Sequence, residues 1–263
     1  MIDIIVPTFK PASYIEEFFD SLENQELSKK YFLVTVILNG DKEPYYSYLI
    51  DILQKYSFRY NILYSGKASV SHARNLGLES TCHQYICFID DDDVITSNYL
   101  SSFLSIANDK NIIVSNVLDF FNQTTNNQKD YLYFAHKFES KNLIKYRKYL
   151  SNSCCKLIPR KLIGNTRFNL TLANGEDALF MFTLSDGIEK IISTNPDVIY
   201  YRRMRAGSAS RKKLLLKELF YIMFFQQVEF TKVYLNNMKK YSFLLYLTRI
   251  LAISKVFISK FKG

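Results

Sequence analysis

The fold is decided by the stretch from Tyr85 to Asp93, YICFIDDDD, in which an apolar run ends in four consecutive aspartates. The apolar run is typical of a buried strand, so it predicts a cluster of carboxylates at that strand's carboxyl end. Like charges this close repel each other unless a cation or hydrogen-bond donors offset them. A hard divalent ion, bound by oxygen ligands and shared with a phosphate, explains the cluster economically. The alternative is a solvated turn rich in aspartate.

Strand-like and helical segments alternate upstream of these aspartates. The predicted strands cover residues 2–6, 32–38 and 60–64, and the predicted helices begin at residue 13 and cover residues 48–56 and 70–80. We expect the first strand to stop at Pro7, because proline cannot donate to a sheet. This alternation predicts a mostly parallel sheet with helices on both faces. Ligands of such sheets bind beyond the carboxyl ends of the strands, where Pro7-Thr8, Asn39-Gly40 and the aspartates converge.

The order of elements is less regular after residue 98. Residues 111–117, 131–135 and 197–202 are candidate strands, and residues 122–129 form a polar loop. A polar stretch ends at Gly175-Glu176-Asp177, where an apolar helix begins at Ala178.

The composition is that of a globular protein. A chain of 263 residues can bury the core of one large domain, with or without an appendage. Its start shows no pattern of a secretion signal. The four cysteines lack zinc-ligand spacing, and adjacent Cys154 and Cys155 could be bridged only with strain. We therefore expect reduced thiols in a cytoplasmic protein.

The net charge of +9 lies in the C-terminal part of the chain. Residues 211–263 hold eleven Lys or Arg and two acids, whereas the 23 bases and 23 acids of the remainder cancel. Apolar helical runs over residues 214–230 and 243–258 lie in this basic segment. Arg249 and Lys255 interrupt the second run, which disfavours a membrane span. The segment favours an anionic membrane surface over nucleic acid as its partner, and packing on the rest of the chain or a homodimer contact is the alternative.

The sequence resembles glycosyltransferase family 2, the inverting GT-A enzymes that use nucleotide sugars. The resemblance covers roughly residues 1–211 and rests on seven stretches in the family's usual order: IIVPTFKPASYIEEFFDSLENQ, VILNGD, SHARNLGLES, YICFIDDDD, KLIPRKLI, NGEDALF and YYRRMRAGSAS. It implies an α/β, Rossmann-like GT-A domain over residues 1–211. A basic, apolar helical extension would follow over residues 212–263.

The resemblance also implies a nucleotide site. Pro7 and Thr8 match the first nucleotide-contacting loop, and Arg74 and Asn75 match the element near the base and sugar. Asn39 stands where the family usually has an aspartate that hydrogen-bonds uracil. Asparagine keeps an acceptor and adds a donor, so contact with the base remains possible.

The acidic run matches the family's DxD motif. By this match Asp90 contacts the ribose or sugar and shares in metal binding, and Asp92 is the metal ligand that bridges to the diphosphate. Asp91 and Asp93 orient the loop or satisfy backbone donors, and Asp91 is counted with the nucleotide-binding positions. The implied ion is Mn²⁺ or Mg²⁺, and the implied donor substrate is a UDP-sugar.

The later motifs supply the catalytic groups that the resemblance implies. Asp177 matches the general base, with Glu176 beside it, and a helix N-terminus favours a carboxylate there. The alternative is that this acidic pair only caps its helix. Positive charge facing the leaving diphosphate would lower the barrier, and Arg205 is the first choice for this role. The other candidates in that stretch are Arg202, Arg203, Arg211, Ser208 and Ser210.

Together these features predict a metal-dependent inverting glycosyltransferase. It would move a hexose or N-acetylhexosamine from a UDP-sugar to a glycan acceptor, lipid-linked by family habit, in O-antigen, capsule or other surface polysaccharide synthesis. The predicted location is the cytoplasm, peripheral at the inner face of the plasma membrane. The alternatives are a nucleotidyl- or phosphotransferase with the same metal–diphosphate site, or a non-catalytic, membrane-associated nucleotide-binding subunit.

Overall fold

A computed structural model describes residues 1–205 and 215–262 of the chain. The described residues form twelve strands and eight α-helices. The strands are β1 Ile2–Thr8, β2 Phe32–Asn39, β3 Tyr60–Ser65, β4 Tyr85–Phe88, β5 Val94–Ile95, β6 Asn111–Val114, β7 Asn116–Phe120, β8 Asn127–Lys129, β9 Glu139–Ser140, β10 Lys156–Pro159, β11 Lys190–Ser193 and β12 Ile199–Arg203. The helices are α1 Tyr14–Glu23, α2 Tyr45–Leu53, α3 Val70–Ser80, α4 Tyr99–Ser105, α5 Arg160–Ile163, α6 Glu176–Leu184, α7 Leu216–Asn236 and α8 Phe243–Lys262.

The main sheet has eight strands in the order β3-β2-β1-β4-β10-β6-β11-β9. The first four are parallel to one another, and the pair β6/β11 is also parallel, so the sheet is mostly parallel, as predicted. Its central strands are buried apolar runs, and α3 packs over β1 and β2. The carboxyl ends of β1, β2 and β4 therefore meet at one edge, where the acidic run begins.

The first strand continues through Pro7 to Thr8, two residues beyond the predicted end. β1 pairs with β2 along its whole length, but its pairing with β4 ends at Ile5. The carbonyl of Ile5 accepts from the amide of Ile89, so the odd positions of β1 face β4. Pro7 thus directs its missing N–H toward a side where the ladder has already ended, and the strand loses no hydrogen bond.

A second sheet, in the order β5-β12-β7-β8, stands beside the main one. The candidate strand over 111–117 is split between the two sheets, because Ser115 interrupts it and donates its amide to the carbonyl of Cys155. The predicted strand over 131–135 is wrong: Asp130 accepts from the amide of Leu132 and begins a turn there. The polar loop over 122–129 ends in β8.

The two C-terminal helices form an antiparallel hairpin that packs on the rest of the fold. Phe230 of α7 and Leu245 of α8 are buried, and Phe230 contacts the ring of Phe182 on α6 at 5.4 Å. Arg249, expected to interrupt an apolar run, lies in the buried face of α8. None of the helices in the described part of the chain combines the length and apolar character that crossing a bilayer requires. The predicted domain boundary at 211/212 lies outside the described residues.

Asp3 anchors the edge of the sheet opposite the acidic run. Its buried carboxylate accepts from the backbone amide of His83 at 2.7 Å, contacts that ring's Nδ1 at 2.6 Å and pairs with Arg160 at 2.9 Å. Arg160 also donates to the carbonyl of His83 at 2.7 Å. This network ties β1, the turn before β4 and the start of α5 together.

Asp3→Asn replaces one acceptor oxygen with a donor that faces other donors. We expect the free energy of unfolding to fall by about 1–3 kcal/mol, the cost of leaving buried polar groups unsatisfied. Urea denaturation measures this change. The exposed ion pair Lys110–Glu189 supplies the control, since Lys110→Gln should leave the urea midpoint unchanged. Equal midpoints for the wild type and Asp3→Asn would contradict the anchoring role.

Candidate active site

The acidic loop after β4 is held against the end of β1. The hydroxyl of Thr8 donates to the carboxylate of Asp91, which is almost fully buried. Burial raises the pKa of Asp91 to about 7, with the Thr8 hydrogen bond opposing the rise and the neighbouring aspartates adding to it. The Asp91 carboxylate therefore ties the loop to the end of β1, and its predicted place among the nucleotide-binding positions stays a prediction.

Arg205 lies beside Asp92. The Nε of Arg205 is 2.6 Å from the Oδ2 of Asp92, and its guanidinium stacks over the ring of Tyr14 at 4.4 Å. Burial and the charge of Asp90 raise the pKa of Asp92, and Arg205 opposes that rise. Arg205, the first choice among the arginines predicted to face the diphosphate, thus pairs with a carboxylate of the DxD-like run.

Two residues of β12 form hydrogen bonds to the acidic loop. Arg203 donates its backbone amide to Asp93 at 2.8 Å and its Nε to the carbonyl of Asp92 at 2.8 Å. The hydroxyl of buried Tyr200 accepts from the backbone amide of Asp90 at 3.2 Å. Burial, Asp92 and Asp90 raise the pKa of Asp93 well above its usual range. No sequence motif marks Tyr200, which was predicted only to lie in a candidate strand.

Arg74 connects the acidic loop to the start of α6. Its side chain is 4% exposed, and it donates to Asp90 Oδ1 at 3.0 Å and to Asp177 Oδ1 at 3.0 Å. Glu176 lies 3.5 Å from the same guanidinium. Burial alone would lower the pKa of Arg74, but Asp177 and Asp90 raise it well above its usual value. The Arg74 guanidinium therefore links Asp90, predicted to contact the donor substrate, with Asp177, predicted to be the base.

Asp177 is the more accessible member of the acidic pair at the start of α6. Its side chain is 22% exposed, against 11% for Glu176. Its Oδ1 accepts from Arg74 and, at 2.5 Å, from the hydroxyl of Ser153. Burial and Asp177 raise the pKa of Glu176 to about 7, and Arg74 opposes that rise. Oδ1 of Asp177 is thus held by two donors, and its other oxygen can accept a proton.

Ser153 was not predicted from the sequence. It lies between the 3₁₀ turn Arg147–Leu150 and β10, in a stretch that carries no motif. Only the folded chain brings it to Asp177.

The predicted nucleotide positions divide into two groups. Pro7 and Thr8 end β1 beside Asn39, whose Nδ2 donates to the carbonyl of Thr8 at 2.7 Å. Asn75 faces elsewhere: its amide exchanges two hydrogen bonds, of 2.9 and 2.8 Å, with the backbone of Phe168. We therefore expect Asn75 to hold Phe168, whose ring stacks on that of Phe180 at 4.0 Å, rather than to contact a ligand.

Arg202 was also predicted as a contact to the diphosphate, but it pairs with other carboxylates. Arg202 pairs with Asp119 at 2.8 Å and with Asp130 at 2.7 Å, on β7 and in the turn after β8. It is thus committed to the second sheet. Arg211, Ser208 and Ser210 lie outside the described residues.

The carboxylate oxygens of the acidic loop suit a hard divalent ion. Asp90 and Asp92 offer carboxylate oxygens at one edge of the sheet, and the Asp90 side chain is 43% exposed. Over residues 1–205 and 215–262, no three His, Cys, Asp or Glu side chains are grouped so that they could hold a metal without other ligands. Ligands from a bound diphosphate and from water would have to complete the coordination.

The comparisons with known proteins bear on both fold and family. The profile of Glycosyl transferase family 2 matches residues 3–166. The minor teichoic acid biosynthesis protein GgaB of Bacillus subtilis is 26% identical over 217 residues, which are 79% of this chain and 23% of that protein. The chain thus spans about a quarter of the length of this relative.

Solved structures share the fold. S. aureus TarS 1-349 in complex with UDP-GlcNAc superposes with a TM-score of 0.71 at 18% identity, over 87% of this chain and 66% of that one. The mannosyltransferase PcManGT from Pyrobaculum calidifontis, in complex with GDP-Man and Mn²⁺, gives a TM-score of 0.62 at 13% identity, over 97% and 69% of the two chains. The predicted GT-A fold is therefore confirmed.

Arg74→Met leaves partly exposed carboxylates without their counter-charge and donor, so it should lower the free energy of unfolding by about 1–3 kcal/mol at pH 8. The loss should be smaller at pH 5, because Glu176, with a pKa raised to about 7, is then protonated and needs no cation. Urea denaturation at both pH values measures this.

Arg59→Met is the matched control, because Arg59 is exposed and donates only to the carbonyl of Lys30 among the described contacts. It should change stability little at either pH. A loss for Arg74→Met that is the same at pH 5 and pH 8 would contradict the electrostatic role.

Proposed function

This chain belongs to glycosyl transferase family 2, and we propose that it moves a hexose or N-acetylhexosamine from a UDP-sugar to a glycan acceptor with inversion at the anomeric carbon. It is a glycosyltransferase related to enzymes of teichoic acid and polysaccharide biosynthesis. The observation that carries the proposal is the bridge from Asp90 through the Arg74 guanidinium to Asp177, which joins a candidate metal ligand to a candidate base.

The donor half of the site is Thr8, Asn39, the aspartates and Arg205. Because Nδ2 of Asn39 donates to Thr8, its Oδ1 is the atom that can accept from the N3–H of uracil. Asp92, with Asp90, would hold Mn²⁺ or Mg²⁺. That ion, when bound, neutralises charge that develops on the leaving diphosphate. Arg205, now paired with Asp92, would turn to the diphosphate once the carboxylate has a metal partner.

The acceptor half is Asp177. Its Oδ1 is held by Arg74 and Ser153, so the opposite oxygen takes the proton from an acceptor hydroxyl as that hydroxyl attacks. Glu176, with its raised pKa, stays partly protonated near pH 7 and does not compete for Arg74 as a full charge. Inversion follows, because the hydroxyl attacks the face opposite the diphosphate.

The acceptor proposed here is a glycan on a lipid carrier in surface polymer synthesis. GgaB is named a minor teichoic acid biosynthesis protein and TarS a poly(ribitol-phosphate) beta-N-acetylglucosaminyltransferase, and these names support a surface polymer. The proposed location is cytoplasmic and peripheral at the inner leaflet. Membership of the family favours glycosyl transfer over the nucleotidyl- or phosphotransferase and over the non-catalytic subunit given as alternatives.

Asp177→Asn tests the base. We expect kcat for sugar transfer to fall about 10²–10⁴-fold, the usual contribution of a general base. Affinity for UDP with Mn²⁺, measured by calorimetry, should change little, since asparagine keeps the shape of the side chain.

Asp51→Asn, an exposed aspartate on α2, is the control and should keep wild-type turnover. Normal turnover in Asp177→Asn would refute the base assignment. Release of UMP rather than UDP from the donor would instead favour nucleotidyl transfer.

The exposed face of the hairpin is the proposed membrane contact. Leu244, Leu247 and Leu251 are 58%, 38% and 59% exposed and recur on one face of α8, followed there by Lys255 and Ile258. Leucines that enter the headgroup region and a lysine that reaches phosphates suit an anionic surface. The buried face of α8, with Leu245 and Arg249, packs on the fold instead, so the two expectations for this segment apply to different faces.

The double variant Leu247→Glu, Leu251→Glu should abolish pelleting with phosphatidylglycerol-containing vesicles, because it places charge in the apolar stripe. Wild-type binding should weaken as salt is raised. Ile50→Glu, at an isoleucine of α2 that is 37% exposed, is the control. Wild-type protein that stays in the supernatant, or a double variant that still pellets, would reject the membrane role.

A further inference from the structure

We propose that the C-terminal hairpin is part of the catalytic apparatus: Gln226 of α7 and Arg249 of α8 are positioning residues that hold Asp177 in place from two sides. The inference rests on the proposed function, in which Asp177 is the base. It gives the hairpin a second role, distinct from the proposed membrane contact of its exposed face.

The first contact is made at the start of α6. The Nε2 of Gln226 donates to the carbonyl of Asn174 at 2.8 Å. Asn174 precedes Gly175, which has φ +82 and begins the helix that carries Glu176 and Asp177. A Cβ at Gly175 would lie 2.8 Å from the Gln226 side chain, so α7 packs directly on this backbone. Gln226 thus fixes the turn that aims Asp177.

The second contact is made on the other side of the base. The guanidinium of Arg249 donates to the hydroxyl of Ser151 at 3.0 Å and to the carbonyl of Arg147 at 2.9 Å. Two residues beyond Ser151, Ser153 donates to Asp177 Oδ1. Arg249 therefore holds the segment from which the second donor to the base comes.

The hydrogen-bond partners of Arg249 support a positioning role. Arg249 is 5% exposed, and the hydrogen bonds above go to a hydroxyl and a carbonyl rather than to a carboxylate. Burial and the nearby charge of Arg147 lower the pKa of Arg249 to about 10. A buried cation among neutral acceptors stabilises a fold less than an apolar residue of the same size. The geometry that Arg249 imposes on residues 147–151 is what distinguishes it from such a residue.

The nucleotide half of the site is held by other elements. Thr8 and Asn39 end β1 and β2, and Asp91 is fixed by Thr8. Loss of the Gln226 or the Arg249 contact should therefore displace the base without displacing the donor. Because a misplacement of about 1 Å can cost about 10²-fold in rate, the loss should appear in kcat.

Gln226→Ala and Gln227→Ala form a matched pair on adjacent residues of α7. Gln227 donates to Ser254 within the hairpin at 2.9 Å, so its loss loosens the hairpin but not the turn before Asp177. We expect kcat to fall about 10–100-fold for Gln226→Ala. The KM for the UDP-sugar, the calorimetric affinity for UDP with Mn²⁺ and the thermal midpoint should stay close to those of Gln227→Ala, whose kcat should resemble the wild type.

A conservative exchange tests the second contact. Arg249→Met keeps the length of the stem and loses both donors, so it should lower kcat with the affinity for UDP unchanged. Arg249→Lys keeps one donor in reach of Ser151 or the Arg147 carbonyl and should restore part of the rate. A purely structural Arg249 would give the opposite order, with methionine the better tolerated residue in a buried position.

The outcomes separate this inference from the proposed function. An inactive Asp177→Asn together with equal kcat values for Gln226→Ala, Gln227→Ala and the wild type overturns the positioning role and leaves the base assignment standing. Equal losses in both glutamine variants also overturn it, because the effect is then general loosening. An active Asp177→Asn overturns the base assignment, and the positioning inference with it.

Discussion

The buried guanidinium of Arg74 is the contact on which the rest of the site depends. Asp90 follows β4, Asp177 begins α6, and the two positions are 87 residues apart in the chain. Carboxylates that are brought close together repel each other, and a cation between them offsets the repulsion. Arg74 provides that cation from α3 with two hydrogen bonds of 3.0 Å. The proposed donor and acceptor halves of the site are thereby joined.

The same principle divides the site into two arginine–aspartate units with different exposure. Arg74 is 4% exposed and holds Asp177 and Asp90, whereas Arg205 is 39% exposed and pairs with Asp92. A buried arginine keeps its partners, since breaking the contact strands a charge. A more exposed arginine exchanges partners at lower cost, because water screens part of its charge. A fixed unit next to the proposed base and an exchangeable unit next to the proposed diphosphate site suit a reaction in which the base must be aimed before the donor arrives.

The sequence predicted the parallel half of the main sheet because strands and helices alternate there and each strand ends in a turn signal. It located the acidic loop, Asn39 and the start of α6 through motifs that keep their order in the family. It failed where tertiary contacts decide: Ser115 splits one apolar run between two sheets, and Asp130 turns a strand-like stretch into a turn. Ser153 and Tyr200 reach the site only through folding, so no local pattern marks them. Asn75 lies in a recognisable motif, yet both ends of its amide bind the backbone of Phe168.

The central claim is that carboxylates from distant parts of the chain surround one cation and one diphosphate, with the base on the acceptor side. Crystals grown with UDP and Mn²⁺, and measured at the manganese absorption edge, test it most directly. The account predicts a single strong anomalous peak between the Asp92 carboxylate and the UDP diphosphate, in the same cleft as Asp177. A peak away from the acidic loop, or UDP bound at the opposite edge of the sheet, where Asp3 lies, would contradict it.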